Sequence, residues 1–175
     1  VLFWIHGGGF TQGSANGYDG SVLAEQGDVV VVSINYRLGF LGFADLSDLG
    51  DAFTGSASNG IRDQILALNW VAQNIQDFGG DPENITIFGE SAGGTSVLGL
   101  MAAPSADGLF HKAIAHSPVL INLPSRSTVP SLISKYGLEG EALLEHIYSL
   151  TEEEILEAQT HLEVSGGRID GTVTV

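Results

Sequence analysis

The sequence predicts an α/β fold with a mostly parallel sheet and helices on both faces. Strand-like and helix-like segments alternate along the first 117 residues, which is typical of parallel strands joined by helices. The strand-like segments 1–5 and 28–35 are nearly continuous apolar runs, a pattern that indicates strands buried on both faces. Glycine-rich segments follow two of the strands, at 6–9 and 89–94.

The first sixty residues are predicted to contain two strands, one helix and a long loop. A strand at 1–5 is followed by a short helix at 21–26, which Gly27 can end. The β-branched run 28–35 predicts the second strand. The segment 37–59 is rich in glycine, serine and aspartate and is long for a structureless connection, so we expect a packed or functional loop.

The next segment, 60–78, has the clearest helical pattern of the chain. Gly79-Gly80-Asp81-Pro82 is expected to end this helix. Trp70 is expected to lie beside its apolar stripe, in the core with Trp4 and Phe88. Apolar residues recur at three- and four-residue steps to form the stripe, namely Ile61, Ile65, Leu68, Val71, Ala72, Ile75 and Phe78.

The remaining elements predict one domain, 1–175, with a sheet core at 1–117 and a helical segment at 118–175. A strand at 84–88 leads into a helix of small residues that Pro104 bounds, and a further short strand follows at 112–116. Amphipathic helices are predicted at 129–136 and 139–150. A third begins at Thr151, where Glu154 completes a capping box.

Composition and charge exclude several classes of function. The chain of 175 residues is 43% hydrophobic and 15% charged, as expected of a folded globular domain. Its net charge of −15 argues against nucleic acid or an anionic membrane surface as a partner. No apolar run is long enough to span a membrane. Without cysteine there is no disulfide, thiolate metal site or cysteine nucleophile, and the scattered histidines predict no metal site. We expect no cofactor, and localisation and oligomeric state stay open.

Residues 89–93, Gly-Glu-Ser-Ala-Gly, form a G-x-S-x-G motif between a predicted strand and a predicted helix. In that context the motif predicts a sharp turn that presents the hydroxyl of Ser91 above the end of a sheet. Gly89 and Gly93 allow the backbone to approach closely at this turn. The N–H of Ala92 would point at an oxyanion, so the motif indicates nucleophilic acyl transfer with Ser91 as the nucleophile.

A second motif, residues 6–9 (His-Gly-Gly-Gly), directly follows the first strand and is followed by Phe10. Three glycines free the backbone to turn two N–H groups toward one point, as stabilisation of a tetrahedral intermediate requires. The alternative is that these glycines only form a tight turn. Phe10 would either line a substrate pocket or pack in the core.

Together these residues resemble the type-B carboxylesterases, the cholinesterase-like and para-nitrobenzyl-esterase-like branch of the α/β-hydrolases. The resemblance is dense over 1–117 and looser beyond. The hormone-sensitive-lipase-like family shares the His-Gly-Gly-Gly loop, but it usually has aspartate in place of Glu90. The matching stretches are Trp4-Ile5-His6-Gly7-Gly8-Gly9-Phe10, Gly27-Asp28-Val29-Val30-Val31-Val32, Asn35-Tyr36-Arg37-Leu38-Gly39, Asp63-Gln64, Ala67-Leu68-Asn69-Trp70-Val71, 74–94 and 108–114.

The resemblance implies a partial α/β-hydrolase fold and hydrolysis of a small-molecule ester through an acyl-enzyme. It implies that Ser91 is the catalytic nucleophile and that Gly8, Gly9 and Ala92 supply the oxyanion-hole amides. Glu90 and Phe10 are possible supporting residues because they adjoin these positions in the sequence. Enzymes of this fold order their triad Ser, Asp or Glu, then His. After Ser91 the chain offers acidic residues and two histidines on predicted helices only, namely Glu139, Glu141, Glu145, His146 and His161.

We therefore expect a piece of a longer esterase that lacks the triad acid and histidine and is inactive in isolation. His6 precedes Ser91 and is expected to brace the glycine loop through a ring hydrogen bond, while His111 and His116 are expected to be packing or surface residues. Arg37 and Asp63 are predicted to form an ion pair that fastens the loop 37–59 to the following helix.

Two other functions stay open at this point. A non-catalytic binding or adhesion module could use the same fold, although such relatives usually lack the elbow serine. A thioesterase or amidase could use the same nucleophile and oxyanion hole. Acyl and alcohol preference cannot be read from these residues.

Overall fold

The protein, described here from a computed structural model, contains a parallel sheet as predicted. The structure describes residues 1–119 and 127–161, the last two by their backbone only, so parts of the predicted helical segment 118–175 lie outside the described residues. The strands of this part are β1 (Leu2–Ile5), β2 (Val31–Ile34), β3 (Thr86–Glu90) and β4 (Lys112–His116). All pair in parallel, in the order β2-β1-β3-β4. The α/β fold class is confirmed.

The described part of the chain contains seven α-helices, which lie between the strands of this sheet or follow the last of them. The predicted helix at 60–78, the helix that follows Ser91 and the three C-terminal helices are all present. The bounds are α1 (Ser21–Gly27), α2 (Gly39–Phe43), α3 (Asn59–Asn74), α4 (Ala92–Ala102), α5 (Val129–Tyr136), α6 (Gly140–Ser149) and α7 (Glu152–His161).

The strands are buried more completely on one face than on the other, which corrects the prediction of full burial. In β1, Phe3 and Ile5 are 0% exposed, whereas Leu2 and Trp4 are only partly buried. The buried face packs in one core with α3 and α4. On the other face Trp4 contacts Phe88, at 4.7 Å between ring centroids. Apolar runs conceal this difference because both faces carry hydrophobic side chains.

Helix α3 is shorter than predicted and two of its aromatic residues lie outside the core. The α-helix ends at Asn74 and continues as a 3-10 turn, Ile75–Phe78. The tighter turn rotates Phe78 off the buried stripe, and its side chain is 63% exposed. Trp70 is 50% exposed and contacts Phe78, because it lies roughly two and a half turns beyond Ile61 and therefore on the opposite face. The prediction that Trp70 and Phe78 are core residues was wrong.

The boundary between α1 and β2 also differs from the prediction. Helix α1 includes Gly27, and the residue in the left-handed conformation after it is Asp28, with φ of 49°. Aspartate tolerates this conformation because its short polar side chain can bond locally. Strand β2 accordingly begins at Val31 instead of residue 28.

The long loop between β2 and α3 is packed, as expected, and is fastened by an ion pair. It contains α2 and three 3-10 turns, and both Phe40 and Phe43 of α2 are buried. Arg37 Nε and Nη2 donate to Asp63 Oδ2 and Oδ1 at 2.8 Å each, and the Arg37 amide donates to Oδ2 at 3.0 Å. These hydrogen bonds to Asp63 raise the pKa of Arg37. The predicted ion pair is confirmed.

The C-terminal helices pack against this loop instead of the sheet. A second apolar cluster contains Phe40 and Leu46 from the loop, Leu132 from α5 and Leu143 from α6. The predicted capping box of α7 is present: the Thr151 amide donates to Glu154 Oε2 at 2.8 Å and the Glu154 amide to Thr151 Oγ1 at 3.3 Å. These bonds lower the pKa of Glu154.

We expect Asp63→Asn to destabilise the protein by about 1 kcal/mol. The change removes the charge that faces Arg37, and partial exposure of the pair keeps the loss below that of a buried ion pair. Urea unfolding of the two proteins measures the difference. Asp77→Asn, on the exposed 3-10 turn after α3, is the matched control and should leave the midpoint unchanged. Equal midpoints for all three proteins would show that the pair does not stabilise the fold.

Candidate active site

Ser91 is the one residue between β3 and α4, and its backbone is strained. Strand β3 ends at Glu90 and α4 begins at Ala92, so a single residue makes the turn. Ser91 has φ of 55° and ψ of −117°, a conformation that L-residues rarely adopt and that costs about 1–3 kcal/mol. The surroundings hold this conformation: the Ser91 amide donates to the His116 carbonyl of β4 at 3.0 Å, and the Ser91 carbonyl accepts from the Thr95 amide at 2.9 Å. The predicted sharp strand-to-helix turn is present.

Glycines are required on both sides of Ser91 because the backbone is crowded there. A Cβ on Gly89 would lie 2.5 Å from the Gly93 carbonyl carbon, and a Cβ on Gly93 would overlap the carbonyl oxygen of Ile5. Real Cβ atoms do not make such approaches, so α4 can sit this close to β1 and β3 only with glycine at these positions.

The glycine loop after β1 lies directly against this turn. A Cβ on Gly7 would lie 2.6 Å from the Glu90 carbonyl oxygen and 3.2 Å from Ser91 Cβ. The two motifs, separated by more than eighty residues in sequence, therefore meet at the carboxyl ends of adjacent strands β1 and β3. This is the edge at which parallel sheets carry their ligand sites.

His6 braces the glycine loop, as predicted. Its ring is 1% exposed, and Nδ1 donates to the Gly7 carbonyl oxygen at 2.8 Å. Tyr36 stacks on the ring, with 4.5 Å between centroids, and its hydroxyl donates to the His6 carbonyl at 2.8 Å. Burial raises the pKa of Tyr36, so the phenol keeps the proton that it donates.

These contacts determine where the glycine amides point. The Gly7 carbonyl is held by His6, and the Gly8 carbonyl accepts from the amides of Thr11 and Gln12 at 3.2 and 3.1 Å. The peptides are trans, so the N–H groups of Gly8 and Gly9 point away from these bonded carbonyls. Within residues 1–119 and 127–161, the amides of Gly8, Gly9 and Ala92 have no acceptor. Among the described residues, nothing therefore occupies these three N–H groups.

The two possible supporting residues have different surroundings. Glu90 is exposed, and its Oε2 lies near Gly7, 3.2 Å from where a Cβ would stand. Phe10 is 7% exposed and packs edge-on against Phe43 at 5.0 Å between centroids. This burial favours packing in the core over contact with a substrate.

No histidine ring among the described side chains is hydrogen-bonded to the Ser91 hydroxyl. His6 is committed to the Gly7 carbonyl, and His111 Nδ1 accepts from the Ile85 amide at 3.2 Å. His116 is exposed on β4. His146 packs against Tyr136 at 4.4 Å between centroids, within the C-terminal helices. The side chain of His161 is not among those described.

Tyr36 was missed by the sequence analysis as a residue of this site. A signal for it exists: Tyr36 lies two residues after the end of β2, and the carboxyl ends of β2 and β1 meet at the same sheet edge as the glycine loop. A polar aromatic residue at that position is placed to contact the loop of the neighbouring strand.

Among the described residues, a groove of about 300 Å³ lies away from these motifs. It lies on the less covered face of the sheet, between β1, β2 and α1, and its lining includes Trp4, Tyr18, Leu23 and Phe88.

Across the part of the chain that the structure describes, no three histidine, aspartate or glutamate side chains cluster as metal ligands would. Each helix described is too short or too polar to span a membrane.

Comparison with known proteins relates these motifs to one family. The model of the carboxylesterase family matches residues 1–172. The chain is 43% identical to a para-nitrobenzyl esterase of Bacillus subtilis in an alignment of 170 positions that covers 94% of this chain and 34% of that protein. It is 45% identical to a cocaine esterase of Oryctolagus cuniculus in an alignment of 179 positions that covers 98% of this chain and 33% of that protein. The chain thus spans about a third of the length of these relatives.

Solved structures that resemble this chain are also esterases. A para-nitrobenzyl esterase structure superposes with a TM-score of 0.83 at 44% identity, over 91% of this chain and 33% of that one. A Clostridium hathewayi esterase, described as hydrolysing aliphatic aromatic polyesters, superposes with a TM-score of 0.82 at 38% identity, over 96% of this chain and 36% of that one. The α/β-hydrolase fold is therefore shown for the part of the chain that aligns.

We expect Gly93→Ala to destabilise the protein by about 1–3 kcal/mol, because the new methyl group would collide with backbone of β1 that cannot move independently. The thermal unfolding midpoint measures this. Gly17→Ala is the matched control, since no atom lies within 4 Å of its Cβ position. Its stability should be unchanged or slightly raised. A Gly93→Ala protein as stable as Gly17→Ala would contradict the close packing of α4 on β1.

Proposed function

Because the chain belongs to the carboxylesterase family, we propose that it carries the nucleophile and oxyanion hole of a serine ester hydrolase. The observation that supports this most directly is the glycine loop lying against the strained turn at Ser91, with three backbone N–H groups unbonded among the described residues. A turn whose only role was structural would have no need of a strained serine beside free donors.

The reaction proceeds through an acyl-enzyme. Ser91 Oγ attacks the ester carbonyl while a general base takes its proton, and the carbonyl oxygen becomes the oxyanion of a tetrahedral intermediate. Collapse of this intermediate breaks the bond to the alcohol oxygen, which takes the proton back from the base. Water then attacks the acyl-enzyme in the same way, releasing the acid and restoring Ser91.

The amides of Gly8, Gly9 and Ala92 stabilise the oxyanion. Ala92 is the first residue of the eleven-residue helix α4, so the positive end of the helix dipole adds to its N–H. The Gly8 and Gly9 donors are preorganised by His6, Tyr36 and the turn at Thr11, so little reorganisation is needed when charge develops. Each such donor contributes about 10²–10³-fold in kcat.

The triad acid and histidine are proposed not to be among residues 1–175. The histidines with described side chains are bonded elsewhere, exposed or packed in the C-terminal helices. The relatives are about three times as long as this chain, which leaves room for both residues in a longer protein. The acidic residues Glu139, Glu141 and Glu145 lie at or within α6, where only Leu143 is buried.

The substrates are proposed to be small carboxylic esters. The relatives are named for esters of that kind, para-nitrobenzyl esters and cocaine among them. A thioesterase or amidase would use the same groups, and comparison of oxygen ester, thioester and amide substrates separates the three. A non-catalytic binding module is disfavoured by the presence of Ser91 on its strained turn.

In the complete protein, we expect Ser91→Ala to lower kcat for p-nitrophenyl acetate by at least about 10⁴-fold, because no acyl-enzyme can form. Circular dichroism shows whether the variant is folded. Ser134→Ala, on the exposed side of α5, is the control and should keep full activity. Retained activity in a folded Ser91→Ala protein would refute the assignment of the nucleophile.

We expect the isolated chain of 175 residues to show little or no turnover of p-nitrophenyl acetate, because its general base is absent. Initial rates over a range of substrate concentration, compared with a buffer blank, provide the measurement. Saturable hydrolysis that disappears in Ser91→Ala would mean that these residues contain a working base.

A further inference from the structure

Gln159 of α7 reaches the backbone immediately after the glycine loop. Its Nε2 donates to the carbonyl oxygen of Thr11 at 3.2 Å, and its Oε1 accepts from the amide of Phe40 at 3.2 Å. Both ends of the side-chain amide are therefore used. The bonds join Gln159 to two other parts of the chain, which lie 119 and 148 residues before it.

The close fit at Gly39 shows that this side chain has a defined place. Gly39 has φ of 54°, and a Cβ there would overlap the Gln159 amide group. The Gly39 amide donates to the Phe10 carbonyl at 2.7 Å, so residues 10 and 39 are already joined by the backbone. Gln159 bonds the next residue on each side, Thr11 and Phe40.

Successive hydrogen bonds connect Gln159 to the peptide that carries a proposed oxyanion-hole donor. Gln159 holds the Thr11 carbonyl, and the Thr11 amide donates to the Gly8 carbonyl at 3.2 Å. The Gly8 carbonyl belongs to the peptide whose N–H is that of Gly9. Movement of Thr11 would therefore rotate the peptide that presents the Gly9 donor.

We propose that Gln159 is a positioning residue of the active site, which holds the Gly8–Gly9 peptide in its oxyanion-binding orientation by cross-linking Thr11 and Phe40 to helix α7. This inference rests on the proposed function of Ser91 and the glycine loop. It assigns to the C-terminal helices a role in catalysis through the loop, in addition to their packing against Phe40 and Leu46.

The test is Gln159→Met in the complete protein, which keeps the length and helix propensity of the side chain but removes both hydrogen bonds. Active sites are counted by titration with a fluorescent alkylphosphonofluoridate. The maximal rate is divided by the concentration of titrated sites, so that misfolded protein does not lower the measured kcat. We expect kcat for p-nitrophenyl acetate to fall about 3- to 10-fold with KM unchanged, because the lost bonds act on the transition state.

A second readout reports on the oxyanion hole itself. An alkyl trifluoromethyl ketone adds to the serine as a tetrahedral oxyanion, and its inhibition constant should rise by the same factor as kcat/KM falls. Gln73→Met, at an exposed position of α3, is the matched control and should change neither constant. In a Gly39→Ala background, where the Gln159 amide is already displaced, Gln159→Met should have little further effect.

Unchanged kcat per titrated site in Gln159→Met, or a change in KM with no change in trifluoromethyl ketone affinity, would overturn the inference while leaving the proposed function standing. Full activity in Ser91→Ala would instead remove the proposed function, and with it the basis of this inference. The two failures are distinguishable because they occur in different variants.

Discussion

The close approach of α4 to the carboxyl ends of β1 and β3 is the constraint on which the rest of the site depends. Gly93 lies against the Ile5 carbonyl and Gly89 against Gly93, so the chain must turn within one residue, and that residue is Ser91. The strain at Ser91 is maintained by bonds from β4 and from the first turn of α4. Burial of Phe3, Ile5 and Ile87 under α3 and α4 supplies the free energy that holds these elements together.

The glycine loop lies at the same edge of the sheet. It is ordered by hydrogen bonds to its carbonyls, whereas the turn at Ser91 is ordered by close packing. Glycine residues alone would leave the loop free to adopt many conformations, and preorganised donors require that its carbonyls be held. His6 holds the carbonyl of Gly7, and the turn amides of Thr11 and Gln12 hold that of Gly8. Tyr36 in turn holds the carbonyl of His6. Orientation of the donors is thus achieved indirectly, by bonding the opposite side of each peptide.

Local patterns in the sequence predicted most of the elements and the two motifs. The parallel strands, helix α3, the capping box at Thr151 and the bracing role of His6 were all predicted and are present. The Arg37–Asp63 pair is also present, and its prediction came from the family-matching stretches that contain the two residues. The errors fall where local pattern and tertiary environment diverge. Phe78 leaves the core because the helix tightens to a 3-10 turn, and the outer face of β1 is less buried than its apolar residues indicate.

The sequence by itself predicted the proposed chemistry, because the G-x-S-x-G and His-Gly-Gly-Gly motifs depend on short-range backbone geometry that a few consecutive residues encode. Only the tertiary structure decided which other groups contact these motifs. Tyr36 reaches His6 because β2 pairs with β1. Gln159 reaches Thr11, 148 residues away in the sequence, because α7 packs on α2. Contacts of that kind depend on how elements pack, and no local sequence pattern specifies them.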